Sequence, residues 1–189
     1  APYAIAHMKI GLKLAETGYL FGSEERARVY LTNALEPWVR QLPLIGFDAL
    51  AHEAAAVNDI KRSKRFTVII GNPPYSKSSG NRSQAAEQLV EEYKQLVRGE
   101  TNVQPLSDDY VKFIALSLRE TVPGSSIVAM ITNRSYVDGL IHRGLRQRLL
   151  VLCSRVFITD LHGDTNVGEA PPIGMTNDNV FDITQGVAV

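Results

Sequence analysis

The chain has 189 residues, enough for one domain with a sizeable core, and its 20 basic and 20 acidic side chains cancel. That balance excludes a global electrostatic pull on nucleic acid, so local patches must carry any such binding. The single cysteine, Cys153 in an apolar run, excludes a disulfide framework and fits a reducing, cytoplasmic setting, and no apolar run is long enough to span a bilayer.

Residues 2–16 are expected to form a helix. Pro2 suits a first helical position, Ile5, Met8, Leu12 and Ala15 recur on one face, and Thr17-Gly18 marks the stop. A short strand over 29–32, ending at Asn33, follows. A looser stretch over 37–43 leads to an alanine-rich helical pattern over 48–58. Basic Lys61, Arg62, Lys64 and Arg65 then precede the most informative segment. Residues 66–70 are a short run rich in β-branched side chains, the signature of a strand covered on both faces. The run stops at Gly71-Asn72-Pro73-Pro74-Tyr75. Gly71 frees the backbone, and the two prolines fix φ and cannot donate to a sheet ladder.

Beyond a polar loop over 76–83, Ser83 caps a helix with Val90, Tyr93 and Val97 on one face. Ser107-Asp108-Asp109 opens another, apolar over most of its girth and therefore buried. Residues 127–131 form a second apolar strand. A helix over 138–150 turns Ile141, Leu145 and Leu149 inward and His142, Arg143 and Arg146 outward. Another strand spans 156–161, a loop rich in Gly, Pro, Asn and Asp spans 163–178, and 180–189 closes the chain as a broken strand or a hairpin. Strands alternating with helices imply an α/β fold with a mostly parallel sheet and helices on both faces.

In such a sheet, ligands bind just past the carboxyl ends of strands, which is where Asn72 and Tyr75 stand. Their chemistry suits an exocyclic amine on a heteroaromatic base, whose lone pair is delocalised into the ring. Two acceptors on its N–H groups favour the pyramidal form and free that lone pair. The Asn72 side-chain oxygen is one, and the Pro73 carbonyl, aimed by a turn that Pro74 stiffens, is another. Tyr75 offers a flat face for stacking.

Other readings of these and other residues stay open. Asn and Pro are ordinary turn formers. Gly71 with Ser76-Lys77-Ser78 approaches a phosphate loop of an NTPase, with Asp160 as its magnesium-side acid. However, two cradle positions are prolines without an N–H, and Ser76 stands where a second Gly belongs. Asp160, His162 and Asp164 alternate as metal ligands can, but Gly163 points to a strand-end turn, and no metal is expected. Lys61 to Arg65 and the group Arg143, Arg146, Arg148 and Arg155 are solvated charge or phosphate contacts. Cys153 reads as a small buried hydrophobe.

Asn72-Pro73-Pro74-Tyr75 resembles the catalytic motif of amino-methyltransferases, above all the γ-type adenine DNA methyltransferases. The stretches beginning at Ala1, Val29, Asp109, Ile131, Asp160 and Asn179 (APYAIAH, VYLTNALE, DYVKF, ITNRSY, DLHG and NVFDI) resemble the methyltransferase core of large single-chain restriction-modification proteins. The resemblance implies a class I, Rossmann-like fold, with residues 1–189 as the catalytic part of a domain incomplete at its N-terminus. It implies methyl transfer from S-adenosylmethionine to the amine of a flipped adenine in double-stranded DNA. Asn72 and Pro73 would hold the amine, Pro74 fix the turn, Tyr75 stack on the base and Asn33 contact the adenine of the cofactor. The family's glycine-rich cofactor loop has no counterpart here. The resemblance places it upstream, with target-recognition and nuclease or helicase regions elsewhere in the parent, so the isolated chain is expected to be inactive. The same motif also resembles protein-glutamine and RNA guanine methyltransferases, and a non-catalytic DNA-binding or interaction module would keep the fold without the activity.

Overall fold

A computed structural model describes residues 2–22, 25–38, 48–75, 79–166, 168, 171, 173, 174, 176 and 178–189, with the side chains of 48–50 excepted. The looser stretch expected over 37–43 and the Ser76-Lys77-Ser78 part of the phosphate-loop reading lie largely or wholly outside the described residues. The chain divides into two units, Ala1–Ser63 and Lys64–Val189.

In the first unit, helix α1 (Pro2–Glu16) ends as expected. Gly18 adopts φ 85°, and the amides of Gly18 and Tyr19 fold back onto the carbonyls of Ala15 and Leu14. That left-handed residue satisfies carbonyls the helix leaves unpaired and costs little in glycine. Helix α2 (Asp48–Ser63) runs five residues past its expected end at 58, through Lys61 and Arg62 in its last turn, where cations suit the helix dipole. Tyr3 and Arg26 both meet the Glu53 carboxylate, tying α1 and the following segment to α2. The strand expected over 29–32 is not formed; those residues are irregular. A β-branched run becomes a strand only with a ladder partner, and none is present among the described residues of this unit.

In the second unit, strands β1 (Val68–Gly71) and β2 (Ile127–Met130) pair in parallel, with Ile69 opposite Val128. The expectation that both faces of β1 are covered is corrected. Val68, Ile70 and Ile127 share an exposed face, Ile70 at 80% exposure, while Ile69 and Met130 point to the other, half-buried side. Two strands offer one packed face, and the alternation of the pleat leaves the opposite residues outside.

Helix α3 (Gln84–Leu96) begins where Ser83 Oγ accepts the Ala86 amide, and buries Val90 and Tyr93 as expected, with Val97 just past its end. Helix α4 (Asp109–Glu120) is capped by Asp108, which accepts the Tyr110 amide. Their inner faces, with Leu106 and Leu145, make the core. Burial of each such large side chain stabilises by about 1.5–3 kcal/mol.

The mostly parallel sheet is realised only in part. Strands β3 (Thr132–Asn133), β4 (Asp160–His162) and β5 (Val187–Ala188) form a separate antiparallel sheet in the order β3-β5-β4. The strand expected over 156–161 starts only at Asp160, and the closing segment contributes a two-residue strand, extended by reciprocal bonds between Thr159 and Val189. The helix expected over 138–150 is also broken. Helix α5 (Ser135–Asp138) ends at Gly139, a 3-10 turn spans Leu140–His142, and helix α6 (Arg143–Leu152) follows. The break carries His142 inward: it is 3% exposed, not on the outer face.

Candidate active site

The parallel pair delivers the turn. The Ile131 amide donates to the Gly71 carbonyl, so the ladder holds the chain to the last residue of β1. Gly71 also lies close to its neighbour: a Cβ there would come within 3.3 Å of Met130 Cε, the flexible end of that side chain. Past it, residues 72–75 leave the sheet without regular structure, as two prolines dictate. Pro73 is buried and acts as the foot of the turn, whereas Asn72 and Pro74 are exposed.

Tyr75 is half-buried, its ring packed against the core cluster that includes Tyr110 and Val111. Its hydroxyl donates to Asn72 Oδ1 at 3.3 Å. Burial raises the phenol above its ordinary value, so it stays protonated and able to donate. The two polar groups picked out from the sequence are therefore in contact. The hydroxyl occupies one acceptor direction of Asn72 Oδ1, and an amide oxygen has a second for a ligand N–H. That hydroxyl bond was missed in the sequence, where Tyr75 counted only as a flat ring; a spacing of three residues around a rigid turn is the signal that could have suggested it.

Asn33, in the first unit, lines a cavity of about 260 Å³ together with Leu31, Pro37, Val57, Asn58 and Lys61. Its Oδ1 accepts the Leu35 amide at 3.1 Å, an Asx turn that fixes the side chain. Lys61 Nζ donates to the carbonyls of Asn33 and Glu36 at 2.7 and 2.8 Å and so clamps the same turn. Burial lowers the Lys61 ammonium below its ordinary value, partly offset by Glu36. Lys61, assigned from the sequence to solvent or phosphate, thus works inward. The cavity lies below the usual ~300–1,000 Å³ of small-molecule sites, so it suits a base-sized group.

Asp160 is spoken for. Its carboxylate accepts Arg134 Nε and Nη2 and the His162 amide. Burial pushes the acid upward, and Arg134 and the amide overcome that and hold it below its ordinary value. His162 sits at φ 57° in the strand-end turn. Among the described residues no group of three or more His, Cys, Asp or Glu side chains is placed to hold a metal. Arg143 pairs with Glu100 and Arg148 with Glu92, while Arg146 donates to the carbonyls of Tyr136 and Gly139. Those arginines are occupied within the fold. Cys153 is half-buried rather than buried. Among the described residues no helix is long and apolar enough to cross a membrane.

The fold has counterparts among known proteins. The fold is similar to that of the ATP-dependent Type ISP restriction-modification enzyme LlaBIII bound to DNA, at 26% identity and a TM-score of 0.75, over 98% of this chain and 13% of that one. It is similar to a nuclease-deletion mutant of the Type ISP enzyme LlaGI in complex with a DNA substrate mimic, at 22% identity and a TM-score of 0.72, over 98% and 16%. It is also similar to DrdV in its complex with DNA, at 22% identity and a TM-score of 0.75, over 100% and 19%. The chain thus spans less than a fifth of each of these proteins. No curated protein matches it in sequence. The Eco57I restriction-modification methylase family matches residues 6–167, and the chain belongs to that family.

Proposed function

We propose that this chain is the amine-binding part of a site-specific adenine DNA methyltransferase within a larger restriction-modification protein. The single observation that carries the reading is the coupled pair at the end of β1. Asn72 is exposed to a ligand, and its acceptor oxygen is oriented by the hydroxyl of a tyrosine whose ring is seated on the core. A preset acceptor is what an exocyclic amine needs as it turns pyramidal, because no reorganisation is then left for the moment of reaction. The base reaches this turn only when flipped, since its amine is otherwise committed to pairing inside the duplex.

S-adenosylmethionine, the methyl donor we assign, supplies a methyl group activated by its sulfonium. The residues present fit its adenine end: the Asn33 cavity is base-sized, walled by Leu31, Pro37 and Val57, and carries an oriented amide. Within this chain, Asn33 would hold that base, Asn72 Oδ1 and the Pro73 carbonyl the target amine, and Tyr75 the target ring. The amine nitrogen held by Asn72 Oδ1 and the Pro73 carbonyl would take the methyl group from the donor's sulfur, and the amine's extra proton would leave to water, so no strong base would be needed beforehand. In the parent, β1 and β2 would belong to a wider Rossmann-like sheet whose cofactor loop lies upstream. Target-recognition and nuclease or helicase regions would lie elsewhere in the chain.

The test is methyl transfer by the full-length protein to duplex DNA with a labelled donor, followed by nucleoside analysis. N6-methyladenine is expected. Asn72→Ala should remove most turnover and leave DNA affinity nearly unchanged, because the contact strengthens in the transition state. Near-normal turnover by that variant would sink the mechanism. A methylated guanine or glutamine product, or no transfer at all, would reassign the site.

A further inference from the structure

Helix α4 buries two charged side chains, Asp109 and Lys112, beside its apolar residues. Lys112 is 0% exposed. Its Nζ lies 2.7 Å from Glu87 Oε1, 2.6 Å from the Asn81 carbonyl and 3.3 Å from Ser79 Oγ. Asp109, three residues earlier on the same face, accepts Ser79 Oγ and, at 3.0 Å, Asn81 Nδ2. The Asn81 amide donates back to Ser79 Oγ at 3.0 Å. On the far side, Glu87 Oε2 accepts Lys94 at 2.6 Å and Ser107 Oγ at 2.9 Å. Two cations and two anions are thus joined in one network.

Burying an ammonium is costly even when paired, and apolar residues of similar volume often serve a core as well or better. The network's partners indicate what it is for. Ser79 and Asn81 belong to the segment that follows the turn, and Ser79 is itself buried although it sits in irregular chain only four residues past Tyr75. Among the described residues the chain is therefore anchored before the turn by the β1 ladder at Gly71 and again, four residues past Tyr75, at Ser79.

We propose that Asp109 and Lys112 are positioning residues for the transfer: by clamping Ser79 and Asn81 they hold the exit of the turn that carries Asn72 and Tyr75. The inference rests on the reading of that turn as the amine site. A contact of buried Asp109 and Lys112 with the chain beyond the turn restricts where Tyr75 and Asn72 can settle, and misplacement of about 1 Å can cost a hundredfold in rate.

The test compares the two sides of the network in the full-length protein. Ser79→Ala removes the loop-side oxygen with little change of volume. Ser107→Ala removes a bond to the same Glu87 but touches no residue of the turn or its exit. Ser79→Ala is expected to lower kcat about tenfold with the KM for the methyl donor and for DNA within twofold. It should also speed hydrogen–deuterium exchange over residues 72–82. Ser107→Ala is expected to lower the melting temperature and leave kcat within twofold. Lys112→Met should repeat the Ser79→Ala pattern if it folds. A Ser79→Ala variant with kcat and exchange unchanged would overturn the proposal, as would equal kcat losses in the two alanine variants, which would make the network mere scaffold. If the unmodified protein transfers no methyl group, the amine-site reading fails separately, and exchange alone decides the clamp: it stands only if Ser79→Ala, and not Ser107→Ala, loosens residues 72–82.

Discussion

Lowering the pH should destabilise this chain through His142. The imidazole is 3% exposed. Its Nε2 meets the Tyr110 hydroxyl at 2.9 Å, and Nδ1 is buried with no hydrogen-bond partner. Burial, with Arg146 nearby and only Asp138 opposing, pulls the group from 6.5 to about 4. A pKa lowered on folding means that the unfolded chain binds the proton more tightly, so stability is complete above the unfolded value and falls as pH drops from about 6.5 through 4. With 1.36 kcal/mol per unit, the loss between pH 7 and pH 5 comes to about 2 kcal/mol, of a limiting ~3 kcal/mol below pH 4. Glu87 acts lower. Burial raises it, but Lys112, Lys94 and Ser107 together bring it down to about 2, so its contribution is lost only as pH falls from about 4.5 through 2. The assay is urea unfolding at pH 7, 6 and 5 for the unmodified chain and for His142→Gln, which keeps a partner for Tyr110 but does not titrate. The variant should be less stable at pH 7 and nearly flat over the window. The same pH slope in both proteins would refute the assignment to His142.

Tyr75→Phe should lower methyl transfer several-fold, because it deletes one neutral hydrogen bond to Asn72, worth about 0.5–1.5 kcal/mol, and keeps the ring. Tyr75→Ala should also weaken capture of the extruded base by about 1–3 kcal/mol and, since the ring packs on the core, lower the melting temperature; 2-aminopurine fluorescence and thermal unfolding separate the two losses. Gly139→Ala should destabilise by more than about 1–3 kcal/mol, because its Cβ would lie 2.6 Å from His142 Nδ1 and closer still to the Ser135 carbonyl, a clash that chemical denaturation would register. The chain alone should bind S-adenosylmethionine only at millimolar concentration or weaker in calorimetry. A base-sized cavity with about ten ligand atoms at roughly 0.3 kcal/mol each yields about 3 kcal/mol.

What the sequence determined by itself was local and stereochemical. Thr17-Gly18 stops α1, Ser83 and Asp108 cap α3 and α4, and Pro73-Pro74 ends β1 in a rigid turn that presents Asn72, each through backbone geometry settled within a few residues. The spacing of Val90, Tyr93 and Val97 likewise foretold a buried face. Only the tertiary structure decided which runs found partners. Residues 29–32 have strand-forming side chains and no ladder, whereas Val187–Ala188, the part of the broken strand or hairpin expected over 180–189 that pairs, is the central strand of a sheet because β3 and β4 flank it. Burial of polar groups was equally nonlocal. Lys112 and His142 look like surface residues by type, and they lie inside because Glu87 and Asn81 satisfy one and Tyr110 meets the other. A side chain's charge is written in the sequence, but the free energy of burying it depends on atoms that only folding brings within hydrogen-bond reach.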